Sequence, residues 1–224
     1  KALRNKSVVI NTNFQKVEHS IEDALKIICG TIKEEIVENK KSVIILSDRV
    51  IKTGESVIPS LMVLAKVHHY LIEEGIRLKA SLVVVSGEIR DSHDLACHIA
   101  YGASAVWPYL ALEKVRQLAL QNNELELSPI KAQENYRKSL NIGLLKIMSK
   151  MGICTISSYR GSELYEIIGL DKDLVSELFK FSKTRTEGYG YQYFYDNLKI
   201  YGNEEAEKIG LGGFYKHKKD AETH

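Results

Sequence analysis

Two short apolar runs dominate the chain, Val43 to Leu46 and Ser81 to Val85. Each stops at a small polar cluster, Ser47-Asp48-Arg49 and Ser86-Gly87-Glu88, and each leads into a segment with apolar residues at helical spacing. A continuous β-branched run of this length reads as a strand covered on both faces, and the helix after it as a crossover that returns the chain for a parallel neighbour. Val8 to Ile10 is a further strand candidate upstream, and Ala105 to Trp107 is another downstream. Ile21, Ala24, Leu25, Ile28, Ile32 and Ile36 predict a helix over roughly residues 20 to 39, with Ser20 as N-cap and Asp23 three positions on. Further helices are predicted from Pro59 to Glu74, from Asp91 to Tyr101, and from about Pro108. Gly75 and Gly102 stop the first two of these. Four strand-helix units make half of a (β/α)₈ barrel or an open parallel sheet, and the pattern fits both.

The second half reads differently. A polar loop is expected over Asn122 to Lys131, then helices over 132–151, 158–168 and 171–181, with Gly152 and Gly169 at C-terminal cap positions. The last stretch is rich in Tyr and Gly, from Gly188 through Tyr195 and beyond, without apolar periodicity. It is expected to be an irregular tail with short helices, poorly anchored from about Thr184 and laid over a surface outside this chain. The expected class is therefore α/β: a partial barrel-like parallel sheet with crossover helices, then a helical segment and an irregular tail. The expected division is residues 1–170 and 171–224.

Composition narrows the function. The 224 residues carry a formal net charge of +2, so nucleic acid is not an expected partner. The basic run Lys216 to Lys219 reads as a solvated tail. Cys29, Cys97 and Cys154 lie far apart within apolar stretches, which argues against a disulfide framework or a clustered metal site and for buried thiols in a reducing cytosol. No apolar run approaches the roughly 20 residues that span a bilayer. Lys1 and the polar end Ala221 to His224 read as cuts in a longer chain.

Chemistry-bearing residues are few. His69 and Glu73 share a helical face beside His68, but a metal would want a third ligand, so packing is the favoured reading. Ser86-Gly87-Glu88 closes a strand, where main-chain N–H groups can meet a phosphate. Gly102-Ala103-Ser104 opens the next strand, and the two together resemble phosphate-binding barrel loops, although turns and caps account for both glycines more simply. Asp48 with Arg49, and Arg90 with Glu88, read as ion pairs within or between domains. No dinucleotide, P-loop or serine-nucleophile motif is present.

Longer stretches carry a resemblance. Leu46-Ser47-Asp48-Arg49, Ile58-Pro59, Val67 to Ile72, Ser86 to Arg90 followed by His93, and Tyr101 to Val106 are similar to the central domain of the glutamate synthase large chain. So are Gly143 to Ile153, Ser158-Tyr159-Arg160-Gly161 and Gly169-Leu170. The resemblance runs from about Val43 to Leu170. It departs from the family pattern at Val85, Asp94 and Trp107. It implies an internal piece of an enzyme that makes two glutamates from glutamine, 2-oxoglutarate and a reductant. Glutaminase and FMN-binding domains would flank it on the same chain, and the FMN and an iron–sulfur cluster would lie outside this segment. No catalytic, cofactor or metal residue carries over. The implied role is a cytoplasmic scaffold, with Asp48, Arg49, Ser86, Gly87, Arg90, His93, Gly102 and Arg160 as weak anion or interdomain contacts. A stand-alone ligand-binding or regulatory module is the rival reading, and a small phosphate-binding enzyme a third.

Overall fold

The fold was obtained as a computed structural model, which describes residues 6–121 and 127–200. The chain opens with β1 (Ser7–Asn11) and the short β2 (Asn13–Gln15). α1 (Ile21–Val37) follows, capped by Ser20, whose side chain accepts from Asp23 N as the sequence predicts. Next come β3 (Val43–Ser47), β4 (Glu55–Val57), α2 (Ser60–Glu73), β5 (Ser81–Val85), α3 (Ser92–Ala100), β6 (Ala105–Trp107) and α4 (Tyr109–Gln121). β2 and β4 pair antiparallel, apart from the main sheet.

The main sheet is parallel and runs β1-β3-β5-β6, in sequence order throughout. An unreversed order is that of a half barrel, not of a doubly wound sheet, whose order turns back on itself. α1 packs on α2 and α2 on α3, and their apolar faces form one core with Ile44, Leu46, Leu82 and Val84. The opposite face is thinly covered. Val43 and Ile45 are only half-buried, Val9 is 63% exposed and Trp107 is 53% exposed. The strands expected to be buried on both faces are thus well buried on one, because among the described residues no further strands fold round to close the inner side.

α5 (Pro129–Lys150) begins at Ser128, whose side chain accepts from Lys131 N, and packs against α3 and α4. Its Gly143 lies so close to Ser92, at the start of α3, that a side chain there would collide with it. α6 (Ile156–Tyr159) is a single turn. The helix expected over 158–168 ends there, and Glu166–Leu170 instead form β7. The β-branched pair Ile167 and Ile168, closed by Gly169 at φ +81°, favours a strand over a helix. α7 (Lys172–Leu178) then carries the chain to β8 (Lys183–Tyr189), which pairs parallel to β7, and α8 (Tyr191–Asn197) ends the described region.

The expectation of a loose tail is overturned for residues 183–200. The Tyr191 hydroxyl donates to Glu177 at 3.2 Å and that of Tyr195 to the Lys16 carbonyl at 2.7 Å. Lys16 Nζ donates to the Leu198 carbonyl at 2.7 Å, and Ser56 Oγ to that of Lys199 at 2.8 Å. Tyr191 and Tyr195 therefore fasten α8 to this chain's own α7 and to the turn after β2, while Tyr189 and Tyr193 stay exposed. The run Lys216 to Lys219 lies outside the described residues. The cysteines also divide: Cys29 is buried, Cys97 half-buried and Cys154, in the turn after α5, exposed.

Candidate functional site

The structure places the sequence-predicted site residues at opposite ends of the sheet. At the carboxyl ends of β3 and β5, Asp48, Ser86 and Gly87 come together. Asp48 is 4% exposed. Its carboxylate accepts from Ser86 Oγ at 2.5 Å and from Gly87 N at 3.2 Å. Burial raises its pKa, and the bonds from Ser86, Gly87 and Tyr109 oppose that rise. The main-chain N–H that a phosphate would use is thus taken by the protein's own carboxylate. Glu88 repeats the arrangement one helix away. The residue as a whole is exposed, and its carboxylate accepts from Ser60 N at 2.6 Å, in the first turn of α2. Loss of water around that carboxyl raises its pKa too.

Ser60 also meets His98, with Oγ 2.9 Å from Nε2. His98 Nδ1 lies 2.7 Å from the Asp94 carbonyl, which can only accept, so Nδ1 carries the proton and Nε2 accepts from the serine hydroxyl. Ser60 and His98 are each 5% exposed. A buried serine and histidine of this kind tie the start of α2 to α3, and no local pattern marks the pair because the partners lie on separate helices. Arg49 is exposed, with its guanidinium 5.8 Å from the Tyr109 ring. Arg90 pairs with Asp94, not with Glu88, and its carbonyl accepts from Tyr136. His93 lies against Cys97 and Tyr165.

Gly102 and Arg160 lie at the other end, before β6. Gly102, at φ +108°, lets its turn press against His68, and a Cβ there would strike the ring. Arg77 spans the same turn: Nε donates to His68 Nδ1 at 2.8 Å, Nη1 to the Ala80 carbonyl and Nη2 to the Gly102 carbonyl, each at 2.7 Å. Arg160 Nη1 reaches Ser104 Oγ at 3.4 Å. Burial and the nearby Arg77 lower the His68 pKa to about 3, which keeps its imidazole neutral.

His69 and Glu73 do not converge. His69 Nε2 lies 3.0 Å from Glu163, while Glu73 pairs with Lys180. Among the described residues no cluster of His, Cys, Asp and Glu side chains is arranged to hold a metal. Glu163 holds a left-handed backbone at φ +51° and also accepts from Phe181 N, so it joins α2 to the β7–α7–β8 unit. No motif in the sequence marks it.

Four parallel strands in sequence order, with crossover helices over one face, define a half-barrel α/β domain. Residues 1–171 match the family described as the glutamate synthase central domain, and the chain belongs to that family. It is 41% identical over 183 residues to the ferredoxin-dependent glutamate synthase of Cyanidium caldarium, covering 77% of this chain and 12% of that protein. To the chloroplastic enzyme of Spinacia oleracea it is 35% identical over 224 residues, covering 93% of this chain and 14% of that protein. It thus spans about an eighth of the length of these relatives. Among solved structures, the flavin-binding domain of flavocytochrome b2 from baker's yeast aligns with a TM-score of 0.46 and 18% identity, over 95% of this chain and 42% of that one. Among the described residues no helix is long and apolar enough to cross a membrane.

Proposed function

We propose that this chain is a positioning segment of a glutamate synthase, set between a glutaminase domain and an FMN-binding domain of one polypeptide. The parent enzyme would convert glutamine, 2-oxoglutarate and reductant into two glutamates, with FMN and an iron–sulfur cluster outside this segment. A cytoplasmic setting belongs to the proposal, and the spinach relative places the same kind of protein in the chloroplast. The observation that carries it is the family match over 171 residues inside relatives of which the chain covers only 12–14%. The site supports it as well. Asp48 and Glu88 spend their charge on Gly87 N and Ser60 N, so these two groups serve the fold and not a substrate. A chimera tests the reading: residues 1–171 replace the matching segment of the Synechocystis relative, which is 37% identical to this chain. Retained flavin content and glutamine-dependent glutamate synthesis are expected. A folded chimera that makes glutamate from ammonia but not from glutamine would show that this segment does not couple the two sites.

A further inference from the structure

Arg77 and Arg160 bracket the Gly102–Ser104 turn, and no carboxylate comes within ion-pair distance of either guanidinium among the described residues. Arg77 is held by three hydrogen bonds to neutral groups. A guanidinium carries five N–H donors, so one N–H remains on each terminal nitrogen. His68 adds a further donor. Its Nδ1 accepts from Arg77, so the neutral ring carries its proton on Nε2. That nitrogen lies beside Gly161, where a Cβ would stand 3.4 Å from it, one residue from Arg160. Gly102 at φ +108° clears the His68 ring on one side, and Gly161, at φ +72°, lies in ordinary contact range of it on the other.

Arg77 is half-buried and Arg160 exposed, and the partners of both are neutral, so the half-buried guanidinium lacks the counter-charge such a group ordinarily has. Burial and Arg160 lower the Arg77 pKa to about 10, as expected of a cation with another cation beside it and no anion. A planar, bidentate guanidinium is suited to a carboxylate or phosphate fork.

We propose that Arg77, Arg160 and the His68 Nε2–H form a binding site for a small oxyanion, a carboxylate or a phosphate group, at the amino-terminal end of the sheet. The site lies at the far end of the strands from Asp48 and Gly87, a strand length of about 16 Å away at roughly 3.3 Å per residue. The oxyanion can be a free anion or a carboxylate on a neighbouring part of a longer chain.

The test uses the chain labelled with ¹⁵N in arginine and glycine, titrated at fixed ionic strength with inorganic phosphate and, separately, with acetate. Saturable shifts of the Arg77 and Arg160 Nε–H signals and the Gly161 amide are expected, with a Kd on the order of 1 mM. Arg160→Ala should weaken binding about tenfold, and Arg160→Lys, which keeps the charge but not the fork, should fall between. Arg77→Gln is the less direct variant, because Arg77 also supports the fold. Repeating the titration on a longer chain with its flanking segments separates the sources. Retained shifts identify a free anion as occupant, and lost shifts a carboxylate of the flanking chain. Arginine signals that stay fixed in both anions through about ten times that Kd overturn the site, as do shifts that Arg160→Ala leaves unchanged.

Discussion

Lys16 and Tyr195 hold one another in two ways although 179 positions separate them: the tyrosine hydroxyl donates to the lysine carbonyl at 2.7 Å, and the lysine ammonium lies 5.1 Å from the tyrosine ring. Lys16 Nζ also donates to the Leu198 carbonyl, so one side chain fastens the last described helix to the first strands. Lys16→Ala removes the ammonium contacts but keeps the tyrosine's acceptor. It should lower stability by about 1 kcal/mol and speed tryptic cleavage at Lys199 relative to the parent chain. Equal cleavage rates in the two proteins would show that the clasp does not hold residues 191–200.

Gly143 sets helix propensity against packing. Replacing a mid-helix glycine by alanine should raise stability by roughly 1 kcal/mol. Here the new Cβ would be driven into Ser92, so Gly143→Ala is expected to destabilise. The double variant Gly143→Ala with Ser92→Gly removes the obstruction and should recover most of the loss. Urea unfolding of the three proteins decides it, and a single variant more stable than the parent would refute the close approach.

Gly188 faces the main chain of Gly169 across the β7–β8 pair, with no space for a side chain. Gly188→Ala should part these strands and cost more than the 1 kcal/mol or so of an ordinary surface change. Amide exchange of Ile168 and Leu170 should quicken while that of Ile44 and Val84 in the main sheet stays slow. Uniform quickening would mean that the two sheets unfold as one.

Acid should weaken this fold in a defined window. The folded His68 has a pKa near 3, and burial lowers that of His98 as well. Both stay neutral when folded, while in the unfolded chain each takes up a proton below its ordinary value of about 6.5. Their stabilisation is therefore complete above that value and is lost as pH falls below it. Asp48 and Glu88, whose pKa values burial raises, act in the opposite sense, since the folded state takes up their protons above the ordinary carboxylate values. Between about pH 6.5 and 5 the His68 contribution alone falls by up to about 2 kcal/mol. His68→Asn keeps an acceptor for Arg77 and should flatten the slope of unfolding free energy against pH by nearly one proton. An unchanged slope would show that His68 is protonated in the folded state.

The half barrel was legible because its signals are local. Runs such as Val43 to Leu46 and the spacing of Ile21 to Ile36 depend only on neighbours along the chain, and α1 and β3 fall where they were expected. The inner face was misjudged, since a run of β-branched residues does not tell full cover from the half cover of Ile45. β7 was hidden because Ile167 and Ile168 suit helix and strand alike until β8 arrives to pair with them. At the site, Asp48 with Ser86 and Gly87 could be inferred from strand ends. Arg77 with Arg160 could not: one precedes β5, the other follows α6, and the turn they share is written in neither.

The sequential order β1-β3-β5-β6 bears on how such a chain is made. Each new strand adds beside its predecessor in the main sheet, so every pairing there closes a loop of one strand–helix unit and none spans the whole chain. During synthesis the sheet can grow in the order in which its strands leave the ribosome, without waiting for the carboxyl-terminal half. The clasp between Lys16 and the 195–198 region is the reverse case, since neither of its bonds can form until almost the whole described chain has emerged. Nascent chains should therefore acquire a protected sheet early and fasten the turn after β2 last.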